Sequence, residues 1–418
     1  MRPRAGTTRE PPNGSLSGLL REPLRLAHGA LTVLFEPAPG PLTAIAIAVR
    51  AGARFDAEHP GIAHMAEHML FQGTPRHDQA ALNRRAGELG GEHDADTGYE
   101  DMTLHFEVFD EDVEEALALL ADQLFHSTVP ADRFGKERRV VIDEIRGRQE
   151  DPSNAVHEHA WAMFFGGPLG HPICGTIKSV RRITPEAVRR FVARQFVPAN
   201  MAIALVGGVR TARVRRALAR VFPTDGPRAT PWPRLPRRGS KRAVRLRRQD
   251  LAQSYLVRIA EAPSDARSVL ALSLALEIVG ADPDARLFQE IRERLGLGYD
   301  VGATVEYGSD WAVAVISASA AREHERRLRD TVERTCQEAA AGFTADELAR
   351  ARKKVRYRFA RLGDSRLERA LAHAVRAIGR QPSLAETARL LDGLTLADVE
   401  RAWRRALGAP TLTAVLAG

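Results

Sequence analysis

The feature that most constrains the fold of this 418-residue chain is an approximate repeat of its own sequence. Ile183 begins the segment ITPEAVRRFVARQFVPANMAIALVGG, and Leu394, 211 residues later, begins LTLADVERAWRRALGAPTLTAVLAG. Each copy has a threonine suited to cap a helix, an amphipathic helical pattern, a turn containing proline and an apolar strand that ends in glycine. At the same offset, TAIAIAVR (43–50) falls on SYLVRIAE (254–261). Two matches at one offset favour an internal duplication.

Two stretches without periodicity set the predicted domain boundaries. Residues 1–22 form a polar tail, and residues 223–243 are rich in Pro, Gly and Arg, as in an extended linker. In each half, apolar strands precede long helices and one last strand closes the unit, which favours an antiparallel arrangement over a regular βαβ array. We therefore predict two homologous α+β domains, residues 23–222 and 244–418, each a mostly antiparallel sheet packed with helices.

The hydrophobic patterns also predict individual elements. Strands are expected at 31–36 and 102–109. Helices are expected at 62–72, 79–89, 110–125, 130–149, 185–195, 267–279, 284–294, 345–361 and 396–406.

The composition indicates a globular protein without a membrane span. Hydrophobic residues make up 44% and charged residues 27%, the balance of a globular domain, and no apolar run is long enough for a membrane span. The net charge of +8 is spread over many predicted helices and only 6% of residues are aromatic, so we expect no nucleic-acid partner. Cys174 and Cys336 are expected to be ordinary reduced thiols, and the cytoplasm is the expected compartment.

The segment GIAHMAEHMLFQGT, which starts at Gly61, has the spacing of a metal site. His64 and His68 are four residues apart, so a helix projects both imidazoles from one face, where they can meet one Zn²⁺. Glu67 lies beside them and can accept a proton from water. A bare pair of histidines would more often be core residues hydrogen-bonded to Glu67, but the full HxxEH pattern is the inverted zincin motif and favours metal.

A catalytic zinc usually has a third protein ligand. The predicted helix FGKERRVVIDEIRGRQED, from Phe134, offers Glu137 and Glu144, which are seven residues apart and share a face. Apolar Val141 and Ile145 bury part of this helix. Spacing alone leaves open which carboxylate binds, or whether both lie on a solvated face.

HMAEHMLFQGT together with KERRVVIDEI resembles the pitrilysin/insulinase family of zinc peptidases, which includes the mitochondrial processing peptidases. The resemblance implies that the third ligand is the glutamate 76 residues after His68, which is Glu144. It also implies that Glu137 orients the ligands through hydrogen bonds.

The resemblance extends into the second half, which has no HxxEH and is expected to be inactive itself. There LFQEIRERLGLGY, from Leu287, resembles a family motif whose arginine and tyrosine approach the substrate, here Arg292 and Tyr299. In the first half, Asp94, Ala95 and Thr97 match residues that contact the substrate backbone. The family usually has asparagine where this chain has Asp94, which leaves that contact uncertain.

Together these features predict a zinc metalloendopeptidase that hydrolyses peptides or small unfolded proteins, with Glu67 as the general base. The resemblance implies a chamber built from four such domains, so a chain with two of them is expected to form a homodimer or a heterodimer with a related subunit. The alternative is a non-catalytic structural or partner subunit of a related peptidase complex. Processing of a precursor and general peptide degradation both remain open.

Overall fold

The computed structural model describes residues 20–236, 242–249, 251–280, 282–298 and 300–418. The strands are β1 (Leu24–Leu26), β2 (Thr32–Pro37), β3 (Leu42–Val49), β4 (His93–Thr97), β5 (Met102–Phe109), β6 (Met201–Gly207), β7 (Arg242–Arg247), β8 (Gln253–Ala262), β9 (Val301–Tyr307), β10 (Ala312–Ala321) and β11 (Thr411–Ala417). The helices of the first half are α1 (Ile62–Leu70), α2 (Gln79–Leu89), α3 (Val113–His126), α4 (Ala131–Glu150), α5 (Pro152–Phe165), α6 (Ile177–Val180), α7 (Pro185–Gln195) and α8 (Thr211–Val221). Those of the second half are α9 (Ala266–Val279), α10 (Arg286–Phe288), α11 (Glu325–Glu338), α12 (Ala345–Asp364), α13 (Arg366–Ile378), α14 (Leu384–Asp392) and α15 (Leu396–Gly408).

The two sheets have the same topology. The first has the order β1-β2-β6-β3-β5-β4 and the second the order β7-β11-β8-β10-β9, so they match strand for strand apart from β1. Each contains one parallel pair, β2 with β6 and β7 with β11, and its other pairs are antiparallel. The predicted fold class, two homologous α+β units with mostly antiparallel sheets, is confirmed.

One helix of each half packs on the sheet of the other half. Helix α5 packs on β8 and β11, and α13 packs on β3 and β6. The outer face of the first sheet consists largely of alanine, including Ala44, Ala46 and Ala48, and it meets Ala370 and Ala374 of α13. Small side chains on both surfaces let helix and sheet approach closely, so the two halves are joined by a packed interface.

The sequence did not predict either of these exchanged helices, nor α6, α8, α11 or α14. The buried residues of α5 lie on one side, but apolar Ala162 and Met163 are exposed on the other side, so its sequence lacks a clear one-sided pattern. The remaining long helices do carry such a pattern, and the prediction omitted them. The helix expected at 284–294 is instead the short α10 followed by a π-helical turn, Gln289–Arg294.

A buried ionic network also joins the halves. Arg54 is fully buried and donates to Glu100, to Asp310 in the second half and to the carbonyl of Pro233. Glu100 also accepts from Trp311 Nε1 at 2.9 Å. Pro233 lies in the predicted linker, so residues 223–236 of that segment are held against the first half without forming a helix or strand, whereas residues 242–243 already belong to β7. The linker and domain boundaries themselves stay predictions.

Among the described residues, every helix falls short of the combined length and apolar character that crossing a bilayer requires.

Candidate metal centre

The start of α1 is fixed by a buried carboxylate and a close backbone contact. Asp56 accepts from the backbone N–H groups of Gly61 at 2.6 Å and Ala63 at 3.0 Å, which satisfies donors that the first turn leaves unpaired. Burial raises the pKa of Asp56 to about 8, against the lowering effect of these hydrogen bonds. Gly61 has φ of 92°, and a Cβ there would lie 2.6 Å from the carbonyl oxygen of Cys174. Glycine at this position thus lets a distant loop reach α1.

His64 and His68 project from one face of α1 toward Glu144 on α4. Glu144 Oε2 lies 3.5 Å from His64 Nε2 and 3.9 Å from His68 Nε2. The two imidazole rings are 4.7 Å apart and nearly perpendicular. Burial, followed by the neighbouring His68, lowers the pKa of His64 to about 4, so this imidazole is neutral at pH 7 and its ring nitrogen has a lone pair to offer.

These three side chains suit a zinc ion. A tetrahedral zinc with ligands at about 2.0–2.1 Å separates any two donor atoms by roughly 3.3 Å. The observed separations of Glu144 Oε2 from His64 Nε2 and His68 Nε2, 3.5 and 3.9 Å, exceed that value by about 0.2 and 0.6 Å. Two imidazoles and one carboxylate are also a donor set that catalytic zinc sites use. The residues therefore fit the metal that the spacing of HxxEH predicted.

Glu137, seven residues before Glu144 on α4, contacts the second ring nitrogen of His68. Its Oε2 lies 3.1 Å from His68 Nδ1. A carboxylate in this position keeps the proton of the imidazole on Nδ1 and leaves Nε2 free to bind a metal. His64 Nδ1, by contrast, is buried without a hydrogen-bond partner among the described residues.

We expect Glu137→Gln to weaken zinc binding by about 10- to 100-fold, because the amide orients His68 but no longer raises its basicity. Zinc affinity measured by competition with a chromophoric chelator checks this. Glu186→Gln, an exposed change on α7, is the control and should leave affinity unchanged. Equal affinities for the wild type and Glu137→Gln would contradict the role of Glu137.

Glu67 points to the same region as the histidines and is held by Thr97. One of its carboxylate oxygens and ring nitrogens of His64 and His68 all lie within 4.8 Å of one another. Thr97 Oγ1 donates to Glu67 Oε2. Burial, then the charges of Asp96 and Asp94, raises the pKa of Glu67 to about 8. Thr97, predicted from the resemblance as a substrate contact, thus also positions the predicted base.

Strand β4, which carries Asp94, Ala95 and Thr97, is the edge strand of the first sheet. Among the described strands it pairs with β5 alone, with Asp94 opposite His105 and Thr97 opposite Met102. Helix α1 packs against β4, so the open edge runs beside the histidines. Asp94 is exposed, and its Oδ1 accepts from the N–H of Ala95 at 2.8 Å.

Cys174, expected from the sequence to be an ordinary thiol, lies in the centre. Its Sγ donates to Glu144 Oε1 at 3.3 Å and lies 4.0 Å from His64 Nε2. Gly175, with φ of 74°, would place a Cβ 2.4 Å from the carbonyl oxygen of Pro60, so the loop needs glycine to approach this closely. The Cys-Gly pair in HPICGT was visible in the sequence, but nothing in its spacing connected it with α1.

Arg292 and Tyr299 differ from the other predicted site residues. Arg292 is exposed in the π-helical turn. Its Nε lies 3.5 Å from Glu293 Oε1, and its guanidinium lies over the ring of Phe288. No contact joins it to the histidine cluster within the described parts of the chain. Tyr299 lies outside the described residues.

Comparison with protein families gives two matches along the chain. Residues 32–177 match the family described as insulinase (peptidase family M16), and residues 182–355 match the model described as the peptidase M16 inactive domain. The first range contains His64, Glu67, His68 and Glu144, and the second contains Arg292.

Similar proteins span most of the chain. A Rickettsia bellii protein described as an uncharacterized zinc protease is 29% identical over 321 residues, which cover 75% of this chain and 76% of that one. A Mycobacterium tuberculosis protein with the same description is 28% identical over 409 residues, 93% and 91% of the two chains. Among solved structures, a protease from Helicobacter pylori superposes with a TM-score of 0.89 at 17% identity, covering 95% of this chain and all of that one. A Pseudomonas fluorescens structure described as a peptidase M16 inactive domain has a TM-score of 0.81 at 21% identity, covering 95% and 97%.

Proposed function

Since the chain belongs to the insulinase family of M16 peptidases, we propose that it is a zinc metalloendopeptidase acting on peptides or small unfolded proteins. One observation carries the proposal. The side chains of His64, His68 and Glu144 converge from two helices. The carboxylate of Glu67 lies beside the two histidines and takes no part in their contacts with Glu144. A purely structural subunit would have no need to gather two imidazoles and two carboxylates around the buried His64, because a buried polar group without a partner costs several kcal/mol.

In this mechanism His64, His68 and Glu144 hold the zinc ion. When bound, zinc supplies a Lewis acid that polarises the scissile carbonyl and lowers the pKa of water. Glu67, whose pKa is otherwise raised by burial, would be favoured in its carboxylate form by the charge of a bound zinc ion. As a carboxylate, Glu67 accepts the proton of the attacking water and later delivers it to the leaving amine. Thr97 fixes one carboxylate oxygen of Glu67, which leaves the other oxygen for the proton. Glu137 keeps His68 in the required tautomer.

The open edge of β4 supports a way to bind the substrate. An extended peptide can add to it as a strand, with backbone hydrogen bonds that do not depend on the peptide's sequence. The strand leads to Thr97, the partner of Glu67, so a peptide paired with β4 would pass beside the base. The exposed carboxylate of Asp94 would favour a basic side chain at the peptide position opposite it.

Removal and return of the metal tests the function. We expect a chelator to abolish cleavage of a mixed, quenched-fluorescence peptide library, and zinc in a stoichiometric amount to restore it, because the proposed chemistry depends on the ion. Metal content is measured on the same samples by plasma mass spectrometry. A wild type that holds about one zinc per chain but cleaves no peptide would favour the alternative, a non-catalytic partner subunit.

We also propose that the active form is a homodimer in which each site uses residues of both chains. Arg292 is exposed on the second half, and no contact among the described residues joins it to the histidine cluster of its own chain, as expected if it acts at the site of a neighbouring copy. This chain carries both HxxEH and the Arg292/Tyr299 motif, so two identical subunits would supply a complete set.

Mixing two inactive variants distinguishes shared sites from self-contained ones. Glu67→Gln lacks the base and Arg292→Ala lacks the arginine, so each homodimer should be nearly inactive. If sites are shared, we expect subunit exchange to restore about a quarter of wild-type activity, because mixed dimers contain one site with both residues. Sedimentation confirms the dimer. No recovery in a mixture shown to exchange subunits would rule out sharing.

A further inference from the structure

A cleft lies on the face of the first sheet opposite to the face that packs against α1. Its volume is about 570 Å³, a size typical of small-molecule sites. The first half contributes Arg25, at β1, and Arg50, just after β3. The second half contributes Arg376 and Arg380, at the end of α13. The cleft therefore lies where the exchanged helix α13 meets the first sheet.

The four arginines are not balanced by acids. No carboxylate is within ion-pair distance of any of them among the described residues, although such pairs are frequent elsewhere in the chain. Two acids line the cleft, but Glu22 pairs with Arg389 at 3.0 Å and Glu386 accepts from the backbone N–H of Ser383 at 2.8 Å. Four arginines and two glutamates line the cleft, so these side chains leave a net charge of 4 − 2 = +2.

Arg50 is the most buried of the four. It is 6% exposed, donates to the carbonyl of Thr230 at 2.7 Å and lies over the ring of Trp232. Its Nε has no hydrogen-bond partner in the described structure. Burial, followed by repulsion from Arg380, lowers its pKa, and the charge of Glu100 only partly opposes this effect. A buried cation held near a second cation is unfavourable unless an anion completes the site.

Arg380 occupies a position that usually suits glycine. Its φ is 55°, in the left-handed region just after α13, where glycine is the common residue because a side chain is strained there. No ion pair or hydrogen bond of its side chain within the described residues explains why arginine is placed there. Strained residues of this kind are concentrated at sites that hold ligands.

We propose that this cleft binds the phosphate group of a small soluble molecule, held by Arg50, Arg376 and Arg380. Planar guanidinium groups bind phosphate oxygens in pairs, and three of them can surround one phosphate. Because the arginines come from both halves, the bound anion would hold α13 against the first sheet. The site is separate from the proposed zinc centre and does not depend on peptidase activity.

The test uses calorimetry and thermal unfolding of the full chain with inorganic phosphate, AMP and, as an ionic-strength control, chloride. Arg380→Gly removes one guanidinium and relieves the left-handed strain, so the variant should fold. Arg361→Ala removes an exposed arginine of α12 and is the charge-matched control. We expect phosphate to stabilise the wild type and Arg361→Ala, and Arg380→Gly to weaken its binding by about tenfold or more.

Tighter binding of AMP than of phosphate would identify a phosphorylated organic ligand, and equal binding would identify phosphate itself. Either result supports the site if Arg380→Gly weakens the binding of these ligands. Equal dissociation constants for all three proteins would overturn the proposal, as would equal weakening by Arg361→Ala and Arg380→Gly. Absence of binding of both probes to the wild type at millimolar concentration would also overturn it.

Discussion

Glu67→Gln is expected to reduce kcat for peptide hydrolysis by about 10²- to 10⁴-fold, the range that a general base contributes. The amide has nearly the same shape and can still bond to Thr97, but it cannot accept a proton. Zinc content should remain at the wild-type level, because His64, His68 and Glu144 are unchanged. Steady-state kinetics and metal analysis of the same preparation check both statements.

Glu88→Gln is the matched control, since it makes the same chemical change at an exposed position on α2. It should keep full activity. If Glu67→Gln instead lost its zinc, Glu67 would be a ligand, which its position within 4.8 Å of both histidines makes a real alternative. Full activity of Glu67→Gln would remove the base from the mechanism.

Glu144→Ala is expected to weaken zinc binding by more than about 100-fold, beyond the loss that follows from changing an orienting residue. The two imidazoles would then be the only remaining members of the proposed ligand set. Activity should fall in parallel and should recover partly at high zinc concentration. Such a recovery would show that the variant has lost affinity for zinc and can still hydrolyse peptides when zinc is bound. Titration against a competing chelator gives the affinity.

Asp143→Ala provides the neighbouring control on the same helix. Asp143 is exposed and pairs with Arg146 at 2.8 Å, so its loss removes one acid from α4 without touching the centre. Exposed pairs of this kind contribute about 0–1 kcal/mol. Equal zinc affinities for Glu144→Ala and the wild type would show that the third ligand lies elsewhere.

The fold could be predicted to the extent that its signals are local. Strand β5 has the predicted bounds, Met102–Phe109, because its apolar pattern lies within the segment. Helices α2 and α7 also have theirs, because each segment carries both an N-cap residue and an apolar period. The duplication gave the two-unit architecture. The exchanged helices α5 and α13 show the limit, since nothing in a helix's own sequence states which sheet it will cover.

The sequence alone determined the residues that the zinc hypothesis uses, since HxxEH on a helix puts two imidazoles and a carboxylate on neighbouring positions. Between Glu137 and Glu144 spacing could not choose, because both lie on one face of α4. Tertiary structure decided what each one touches: Glu144 faces both Nε2 atoms and Glu137 meets His68 Nδ1. It alone also brought Cys174 to Glu144 and gathered arginines from both halves into one cleft. The physical reason is that these contacts join residues far apart in the chain, so they form only when packed helices and sheets fix the distances between them.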